Sequence, residues 1–377
     1  MIWDPVPALY FQSGDPACPL RIFFAYLSFH TPSGTYPIDA HLDKLGPKDH
    51  VFLFLAWHRL GFYPERLQRY ARFPCQVILC ANTPEEHAEL EAAGVRCIFF
   101  NQNAALDERL FDVAAPAEGL HAPRPFRAVL NSTLAPYKRL HLAAKVERLA
   151  VVGYLQGSDY HSAAPLPPGS TWMNLHSGAL CAGSGSDLSG SAHAAVPGVT
   201  SGGPTGSTSA GYRQLGPGSQ QGPPQAAGSA HNVGAGTAGQ AVYLSAGQVC
   251  AALNRCEVGL SLSELEGPCW ASSEYLLCGL PVVTTPCSGG REVWYNEGNS
   301  IVVQPTQDAV AAGVSQAIQQ LRSGAFSRQR IREGALQQAR SFRAALNAEV
   351  QAIFEEHGVR LSAADWFAEH FCHKMGL

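Results

Sequence analysis

Two glutamates separated by seven residues, Glu266 and Glu274, have the side-chain types and the spacing that could do chemistry. On one continuous helix their side chains would differ in direction by roughly 80°. Gly267 and Pro268 interrupt that helix, so both carboxylates can face one crevice. An ionised carboxylate accepts hydrogen bonds and donates none, which suits the vicinal diol of a ribose or a hexose. Free backbone amides at a helix start between them would favour a phosphate or a developing negative charge.

A strand, a helix and a second strand must position these glutamates. Apolar residues alternate with small ones over Val258–Ser263, which is the period of a strand. Pro281–Val283 is a short apolar run, typical of a strand covered on both faces. Between them the pattern predicts a helix that Pro268 opens at its first position and that Gly279 ends. This order is the repeating unit of a parallel α/β sheet, whose ligands bind at the carboxyl ends of the strands.

The stretch Glu257–Arg291 resembles the Glu-x7-Glu signature of the retaining glycosyltransferases of group 1, which have the GT-B fold. The shared features are the glutamate pair, the Gly-Pro turn, the strand CGLPVVTT and a Gly-Gly turn leading towards a helix. The resemblance implies that Glu266 lies beside the donor sugar and that Glu274 holds the ribose of the nucleotide. It also implies a set of residues that orient the sugar or shape the phosphate pocket: Gly267, Pro268, Gly289 and Gly290.

A second segment, Ser132–Lys138, resembles the family's Gly-Arg-Leu-x-Pro-x-Lys turn, with Leu, Pro and Lys at the matching positions. In the family the Arg and Lys clamp the departing diphosphate, because negative charge accumulates on the leaving oxygen as the sugar bond breaks. Lys138 inherits this role by resemblance and is predicted to be catalytic with Glu266. Thr133 stands where the family usually has Arg, and Arg139 could substitute for the missing guanidinium. Loss of the Arg could equally mean weakened activity.

The resemblance implies transfer of a sugar from a nucleotide-diphosphate sugar to an acceptor that the sequence does not identify, with retention at the anomeric carbon. It implies no covalent enzyme intermediate, no metal and no other cofactor. A second hypothesis is a catalytically silent sugar-nucleotide-binding protein of the same fold that acts through partners. A third is another GT-B enzyme, such as an epimerase or a phosphorylase, although no lysine motif for a pyridoxal cofactor is evident.

The predicted fold class is α/β, with two Rossmann-like domains whose parallel sheets face a central cleft. Residues 1–125 form a shortened N-terminal, acceptor-side domain, and residues 126–345 form the nucleotide-sugar-binding domain. Residues 346–377 form a helical tail that, by resemblance, crosses back onto the first domain. Asn101–Phe111 resembles the segment that ends the family's N-terminal domain.

A low-complexity insertion over residues 161–240 interrupts the second domain. Eleven of the forty residues from Ser201 to Gln240 are glycine, and Arg213 is the only charged residue between Asp187 and Arg255. Such a stretch buries too little apolar surface to offset its ordering entropy, so we predict that it is disordered.

The remaining elements follow from periodicity and capping signals. Residues 1–20 are predicted to be irregular, and the predicted N-terminal strands are Arg21–Leu27, Val51–Trp57, Val77–Cys80 and Arg96–Phe100. Helices are predicted at Pro64–Arg72 and from Pro84 to Gly94, the latter with Thr83 and Glu86 in a capping box. Later helices are predicted to begin after Ser245, Thr306 and Ser327, with a break at Gly334, before a final amphipathic segment at Leu361–Met375.

Composition narrows the class of protein. Over 377 residues, Lys+Arg 26 against Asp+Glu 30 gives a net charge of −4, which lacks the basic excess of a nucleic-acid binder. Eleven scattered cysteines without a Cys-x-x-Cys pair indicate reduced thiols in a cytoplasmic protein. No apolar run approaches the roughly 20 residues that span a bilayer, although peripheral membrane contact stays open. His370, Cys372 and His373 cluster, but a fourth metal ligand is not evident.

Overall fold

Two separate sheets organise the chain. A computed structural model describes residues 9–13, 19–27, 39–55, 70, 72–114, 124–154, 167–174 and 243–370. We call the part that carries the first sheet, residues 9–114, the N-terminal unit, and the part that carries the second, residues 124–323, the C-terminal unit. The two units are joined along one side by the helices that follow.

The sheet of the N-terminal unit has five strands. They lie side by side in chain order: β1 (Leu9–Gln12), β2 (Arg21–Leu27), β3 (Asp49–Leu55), β4 (Gln76–Ala81) and β5 (Cys97–Phe99). Strands β2 to β5 pair in parallel, and β3 is buried along its whole length. The predicted parallel sheet is therefore confirmed for this unit.

Strand β1 corrects the prediction that residues 1–20 are irregular. It pairs antiparallel with β2, Leu9 lying opposite Phe24 and Gln12 opposite Arg21. Phe11 is buried in the core, while Gln12 is exposed. A four-residue edge strand held by ladder hydrogen bonds and one buried ring is too short for a clear period in the sequence.

The described helices of the N-terminal unit are α1 (Asp39–Leu42) and α2 (Pro84–Ala92). Thr83 caps α2 by accepting a hydrogen bond from the Glu86 amide at 3.0 Å. In a complete capping box the Glu86 carboxylate would accept from the backbone amide of Thr83. It accepts instead from the backbone amide of Asn82, at 2.7 Å. The predicted helix Pro64–Arg72 lies outside the described residues, apart from Tyr70 and Arg72.

The sheet of the C-terminal unit is parallel throughout its described pairs. Its strands are β6 (Phe126–Thr133), β7 (Leu149–Tyr154), β8 (Thr171–Trp172), β9 (Cys256–Ser261), β10 (Val282–Thr284) and β11 (Ser300–Val302). The spatial order is β11-β10-β9-β6-β7-β8, so β6 and β9 lie at the centre. The carboxyl ends of these two strands lead into the segments that carry Lys138 and Glu266.

Strand β8 lies inside the predicted disordered insertion, residues 161–240. Thr171 and Trp172 pair with Ala150 and Val151 of β7, and Trp172 packs over Gly153. For residues 167–174 the disorder prediction is therefore wrong, because these residues complete the edge of the sheet. Residues 161–166 and 175–240 lie outside the described residues.

The later helices are α3 (Ala246–Leu253), α4 (Trp270–Leu277), α5 (Gln307–Ser323), α6 (Arg328–Glu356) and α7 (Ala363–His370). The caps predicted at Ser245, Thr306 and Ser327 are confirmed, since each side chain accepts from a first-turn amide. Helix α4 begins at Trp270 and not at Pro268, because Cys269 takes a left-handed conformation with φ of 58°.

Helix α6 runs unbroken through Gly334, contrary to the predicted break. The space around Gly334 is open, and a continuous buried stripe holds the helix on either side of it. The stripe consists of Ile331, Ala335, Ala339, Phe342, Leu346, Val350, Ile353 and Phe354. The predicted boundary at residue 345 falls inside this helix, and the predicted domain division stays a prediction.

Helices α6 and α7 cross back onto the N-terminal unit. The Phe11 ring lies 4.6 Å from that of Phe354 and 5.5 Å from that of Trp366. Trp366 and Phe367 also pack against Phe24 of β2. Two α/β units with parallel sheets and a returning C-terminal helix are the predicted GT-B architecture. Within the described part of the chain, no helix is long and apolar enough to cross a membrane.

Arginines of α6 contact both units. Arg328 pairs with Glu257 at the start of β9, and Arg332 donates to the Leu277 carbonyl at 2.7 Å. Arg343 donates to the Ala104 carbonyl at 2.8 Å, and Glu349 pairs with Arg96 at 2.8 Å. Arg332 also donates to the Glu108 carbonyl at 3.1 Å. The first part of the helix is thus bonded to both units, and Arg343 and Glu349 in the later part are bonded to the N-terminal unit.

Candidate functional site

Lys138 and Glu266 meet at the carboxyl end of the C-terminal sheet. Lys138 ends a short 3-10 turn, Pro136–Lys138, that follows β6, and Glu266 lies in the loop after β9. The Lys138 ammonium donates to both carboxylate oxygens of Glu266, at 2.6 Å to Oε2. The two side chains are only 12% and 9% exposed. The structure therefore brings together two predicted catalytic residues that are distant in the sequence.

The charge of Lys138 is held in place by this partner. Burial by itself disfavours the ammonium form, but the Glu266 carboxylate together with Cys269 and Tyr137 raises the pKa of Lys138 above its ordinary value. Lys138 is therefore a cation at neutral pH and is directed into a low-dielectric site. A cation so placed can stabilise an anionic group that comes close to it.

Behind Glu266 lie two side chains that sequence reasoning did not assign to the site. The Ser263 hydroxyl donates to Glu266 Oε2 at 2.5 Å. The guanidinium of Arg291 is fully buried and donates to the Ser263 hydroxyl at 2.6 Å and to the Thr285 carbonyl at 2.9 Å. These bonds fix the orientation of the Glu266 carboxylate. A signal was available, since Arg291 directly follows the Gly-Gly turn, but its contact with Ser263 depends on how two loops meet.

The two predicted phosphate-pocket glycines pack against different partners. Gly289 has φ of 130°, and a Cβ added there would lie 1.5 Å from the Glu266 carbonyl oxygen. The Glu266 amide donates to the Ser288 carbonyl at 3.1 Å, which joins the two loops. Gly290 has φ of 114° and lies against Asn82 of the N-terminal unit. Glycine is required at both positions for this close approach.

Glu274 lies on α4 and is 3% exposed. It accepts a hydrogen bond from the Asn131 side-chain amide at 2.6 Å. Asn131 belongs to β6, the strand that leads to Lys138. Residues at or just after the end of β6 therefore contact both predicted glutamates, Asn131 contacting Glu274 and Lys138 contacting Glu266. Burial, and after it the Glu274 charge, raise the pKa of the neighbouring Tyr154. The carboxylate thus sits in a polar recess beside an aromatic side chain.

Arg139, which was predicted as a substitute for the family guanidinium, is bonded to the loops after β9 and β10. Its backbone is left-handed, with φ of 50°, and Nε donates to the Leu262 carbonyl at 2.7 Å. A second nitrogen donates to the Thr285 hydroxyl at 2.9 Å, and Glu264 lies 4.0 Å away. These bonds brace the loops after β9 and β10.

Thr133 and the Gly267-Pro268 turn complete the predicted set. The Thr133 hydroxyl is buried and has no hydrogen-bond partner among the described residues. Gly267 follows Glu266, and its backbone nitrogen packs close to Gly289, 3.5 Å from where a Cβ would lie on that residue. The Pro268 carbonyl accepts a hydrogen bond from the Asn103 side chain at 2.6 Å.

Two asparagines of the N-terminal unit close one end of the site. Asn103 donates to the carbonyls of Pro268 and Cys269, while Asn101 donates to the Gly290 carbonyl at 2.9 Å. Asn101 also accepts from the Trp294 indole at 2.9 Å. The sequence indicated only a family resemblance for this segment, because contacts between units are not visible in local patterns.

Metal ligation has little support among the described residues. No group of three or more His, Cys, Asp or Glu side chains suited to a metal occurs in the part of the chain that the structure describes. In the sequence cluster near the C-terminus, a ring nitrogen of His370 contacts the Trp366 carbonyl at 2.8 Å. Cys372 and His373 lie outside the described residues.

Comparison with known proteins gives one family. The sequence model of "Glycosyl transferases group 1" matches residues 239–338, roughly a quarter of the chain. This segment contains β9, α4, β10 and both glutamates. The matched segment is therefore similar to glycosyltransferases in class. The family of the matched segment is group 1, as the resemblance of Glu257–Arg291 implied. No curated protein sequence matches the chain.

Solved structures overlap with the chain at low identity. Alr3699/HepE from Anabaena, in complex with UDP, is 11% identical with a TM-score of 0.49, over 84% of this chain and 82% of that one. A glycosyltransferase from Rickettsia africae ESF-5 is 12% identical with a TM-score of 0.49, over 88% and 76%. TarM is 10% identical with a TM-score of 0.48 over 88% of this chain, which spans 54% of TarM.

Proposed function

We propose that the protein transfers a sugar from a nucleotide-diphosphate sugar to an acceptor, with retention at the anomeric carbon. The observation that carries this proposal is the Lys138–Glu266 pair at the carboxyl end of a parallel sheet, inside and beside the segment that matches group 1 glycosyl transferases. Parallel α/β sheets bind their ligands at this edge. The acceptor and the identity of the sugar are not assigned.

Lys138 is proposed to bind the diphosphate. Among the described residues, its ammonium group is paired with the Glu266 carboxylate. A diphosphate brings more negative charge than one carboxylate, so it competes for the ammonium group. As the bond between sugar and diphosphate breaks, negative charge builds up on the leaving oxygen, and Lys138 lowers the energy of that state. Gly289 and Gly290 shape the pocket around the phosphates.

Glu266 and Glu274 are proposed to bind two different diols. With its lysine bond shared with the diphosphate, Glu266 accepts hydrogen bonds from sugar hydroxyls, and the Gly267 amide and Pro268 border the same sugar. Glu274 accepts from the ribose hydroxyls, in exchange for or together with Asn131. By family resemblance, the diphosphate leaves from the face that the acceptor attacks, so no covalent enzyme intermediate forms.

The same observations give a second candidate, a silent sugar-nucleotide-binding protein of this fold that acts through partners. Thr133 replaces the family Arg, and the bonds of Arg139 to Leu262 and Thr285 occupy the guanidinium that was predicted to substitute for it. Lys138 would then bind the diphosphate without enough positive charge to expel it. A nucleotide would bind, but transfer would not follow.

Thermal unfolding of the full chain against uridine, guanosine and adenosine diphosphates and their sugars tests the proposal. A ligand at 100 times its dissociation constant adds about 2.7 kcal/mol to the folded state. The ligand that shifts unfolding is then used as donor, and slow hydrolysis to free sugar and nucleoside diphosphate is measured. Turnover supports the transferase, and binding without any turnover supports the silent binder.

Matched substitutions assign the roles. E266Q is expected to abolish turnover, while E264Q in the same loop retains it, because the Glu264 side chain is 79% exposed and is not bound to Lys138. K138M is expected to lose binding of the diphosphate, while K145M keeps it, since Lys145 forms an exposed pair with Asp308. Unchanged turnover in folded E266Q would refute the role given to Glu266.

We also propose that the protein acts in the cytoplasm. The cysteines that the structure describes are free thiols, among them Cys75, Cys80, Cys256 and Cys278 in the core. Free thiols of this number are usual in a reducing compartment. Fractionation of cells that express the full chain tests this, and recovery of the protein outside the cytoplasmic fraction would contradict it.

A further inference from the structure

Two thiols away from the Lys138–Glu266 pair lie in direct contact. Cys250 is on α3, and Cys278 caps the carboxyl end of α4. Their sulfur atoms are 3.8 Å apart, and Cys278 donates its thiol hydrogen to the Cys250 sulfur. Neither cysteine is in a disulfide.

The two thiols differ in access and in polarity. Cys278 is fully buried, whereas Cys250 is partly exposed. The Cys250 sulfur also lies 3.4 Å from the Asn254 side-chain amide, which donates to it. Two donors therefore converge on one sulfur and stabilise a negative charge there. The Cys250 thiol also contacts the Asp112 carbonyl at 3.7 Å, and the Asp112 charge opposes ionisation.

This environment lowers the pKa of Cys250 to about 6, chiefly through the hydrogen bond from Cys278, against the opposing effect of burial. At other cysteines burial is the dominant effect, and it raises the pKa of Cys75 to about 11 and that of Cys256 to about 12. The hydrogen bonds thus favour the thiolate form of Cys250, whereas burial favours the neutral form of the other thiols.

We propose that Cys250 and Cys278 form a redox-active pair, in which Cys250 reacts first with a hydroperoxide and Cys278 then closes a disulfide. A partly exposed thiolate next to a second thiol is the arrangement that reversible thiol oxidation requires. This proposal goes beyond the proposed sugar transfer and does not depend on it.

The chemical steps balance with the hydroperoxide as oxidant. With hydrogen peroxide, the Cys250 thiolate attacks one peroxide oxygen, so an S–O bond forms, the O–O bond breaks and hydroxide leaves, taking up a proton to become water. The Cys278 thiol then attacks the Cys250 sulfur, so the S–S bond forms and the S–O bond breaks. The second hydroxide leaves and takes the Cys278 proton as water. Two thiols are oxidised by two electrons, and the peroxide is reduced.

The disulfide would change the geometry around α4. An S–S bond is about 2.05 Å long, so the sulfurs must approach each other by roughly 2 Å from their present contact. That closes a covalent loop from residue 250 to residue 278, which contains β9, Glu266 and all of α4, including Glu274. The carboxyl end of α4 is drawn towards α3 by this bond.

Peptide mapping of the full-length protein tests the pair directly. The reduced protein is treated with a stoichiometric amount of hydrogen peroxide, blocked with iodoacetamide and cleaved with trypsin without reductant. Cleavage at arginine places Cys250 in the peptide 214–255 and Cys278 in the peptide 256–291. We expect these two peptides to be recovered as one species that has lost two hydrogens, and to separate again after reduction.

Variants identify the sulfurs. C278A is expected to abolish the cross-link and to leave Cys250 as a sulfenic acid that a dimedone probe captures. C287S, which changes another partly exposed thiol of the second peptide, should leave the cross-link intact. Recovery of wild-type Cys250 as a stable sulfenic or sulfinic acid without the cross-link would overturn the proposal, as would persistence of the cross-link in C278A.

The pH dependence of alkylation provides a second measurement that needs no variant. In the reduced wild type, the rate of Cys250 modification by iodoacetamide should reach half its plateau near pH 6, as its pKa of about 6 requires. A midpoint close to 9, the ordinary value for a thiol, would remove the basis for Cys250 as the attacking residue.

Discussion

Removing the positive charge of Lys138 should reveal how the fold holds Glu266. In K138M, methionine has nearly the volume of the lysine stem, but the ammonium is lost. The Glu266 carboxylate then remains 9% exposed, with the Ser263 hydroxyl as a remaining described donor. Breaking a buried ion pair on one side leaves an uncompensated charge.

The magnitude follows from this burial. Removal of one partner of a buried pair typically costs about 3 to 5 kcal/mol, whereas an exposed pair contributes about 0.2 to 1 kcal/mol. We therefore expect K138M to lower the free energy of unfolding by about 3 to 5 kcal/mol. The double variant K138M/E266Q removes both charges and should be more stable than the sum of the single changes predicts, by about 2 kcal/mol or more.

Urea unfolding of the four proteins in this cycle, at one pH and without nucleotide, gives the coupling energy. K145M is the matched control, because the Lys145–Asp308 pair is 52% and 82% exposed. It should change stability by less than about 1 kcal/mol. If K138M were no more damaging than K145M, the Lys138–Glu266 pair would not be a desolvated contact, and the account of the site given above would fail.

Three further outcomes are expected. Burial lowers the folded-state pKa of His50 to about 4, below the ordinary 6.5, so the unfolded chain takes up the proton first as pH falls. The free energy of unfolding therefore falls between pH 6.5 and 4, by about 2 kcal/mol between pH 7 and 5. In urea titrations H50Q should lack this loss. G289A should destabilise by about 2 kcal/mol or more, as measured by thermal unfolding, because a Cβ meets the Glu266 carbonyl at positive φ. N103A should cost about 1 to 3 kcal/mol and speed hydrogen exchange near α4, since the Pro268 carbonyl loses a buried donor.

Controls accompany these changes. H87Q alters a histidine paired on the helix surface with Glu91 and should keep the wild-type loss at low pH. G334A fills open space in α6 and should stabilise by about 0.5 to 1 kcal/mol, the opposite sign to G289A. A wild-type pH profile in H50Q, or a neutral G289A, would contradict the reasoning for that residue.

Much of the fold follows from local sequence signals. The buried strands β3 and β4 are continuous apolar runs, and the caps at Thr306 and Ser327 are read directly from residue type. Helix starts depend on more than residue type, because Pro268 is a favoured first residue and yet the left-handed Cys269 delays α4 by two residues, to Trp270. At Gly334 the low helix propensity of glycine predicted a break, but the packing along α6 keeps the helix continuous.

Some residues of the candidate site could also be predicted from the sequence, and others could not. Lys138 and Glu266 could be predicted because each lies in a short motif after a strand, and parallel strands bring those ends together. The direction of Arg139 could not, because its positive φ turns the side chain towards the Leu262 carbonyl. Ser263 and Arg291 depend on a contact between two loops, which residue spacing alone does not determine.

Helix α6 has a mechanical consequence for the cleft. At 1.5 Å per residue its 29 residues form a rod of about 43 Å, bonded through Arg328 to one sheet unit and through Arg343 and Glu349 to the other. Along this edge the distance between the units is fixed by the rod. Any widening of the cleft must therefore be a pivot about α6, with the least travel beside the helix and more with distance from it.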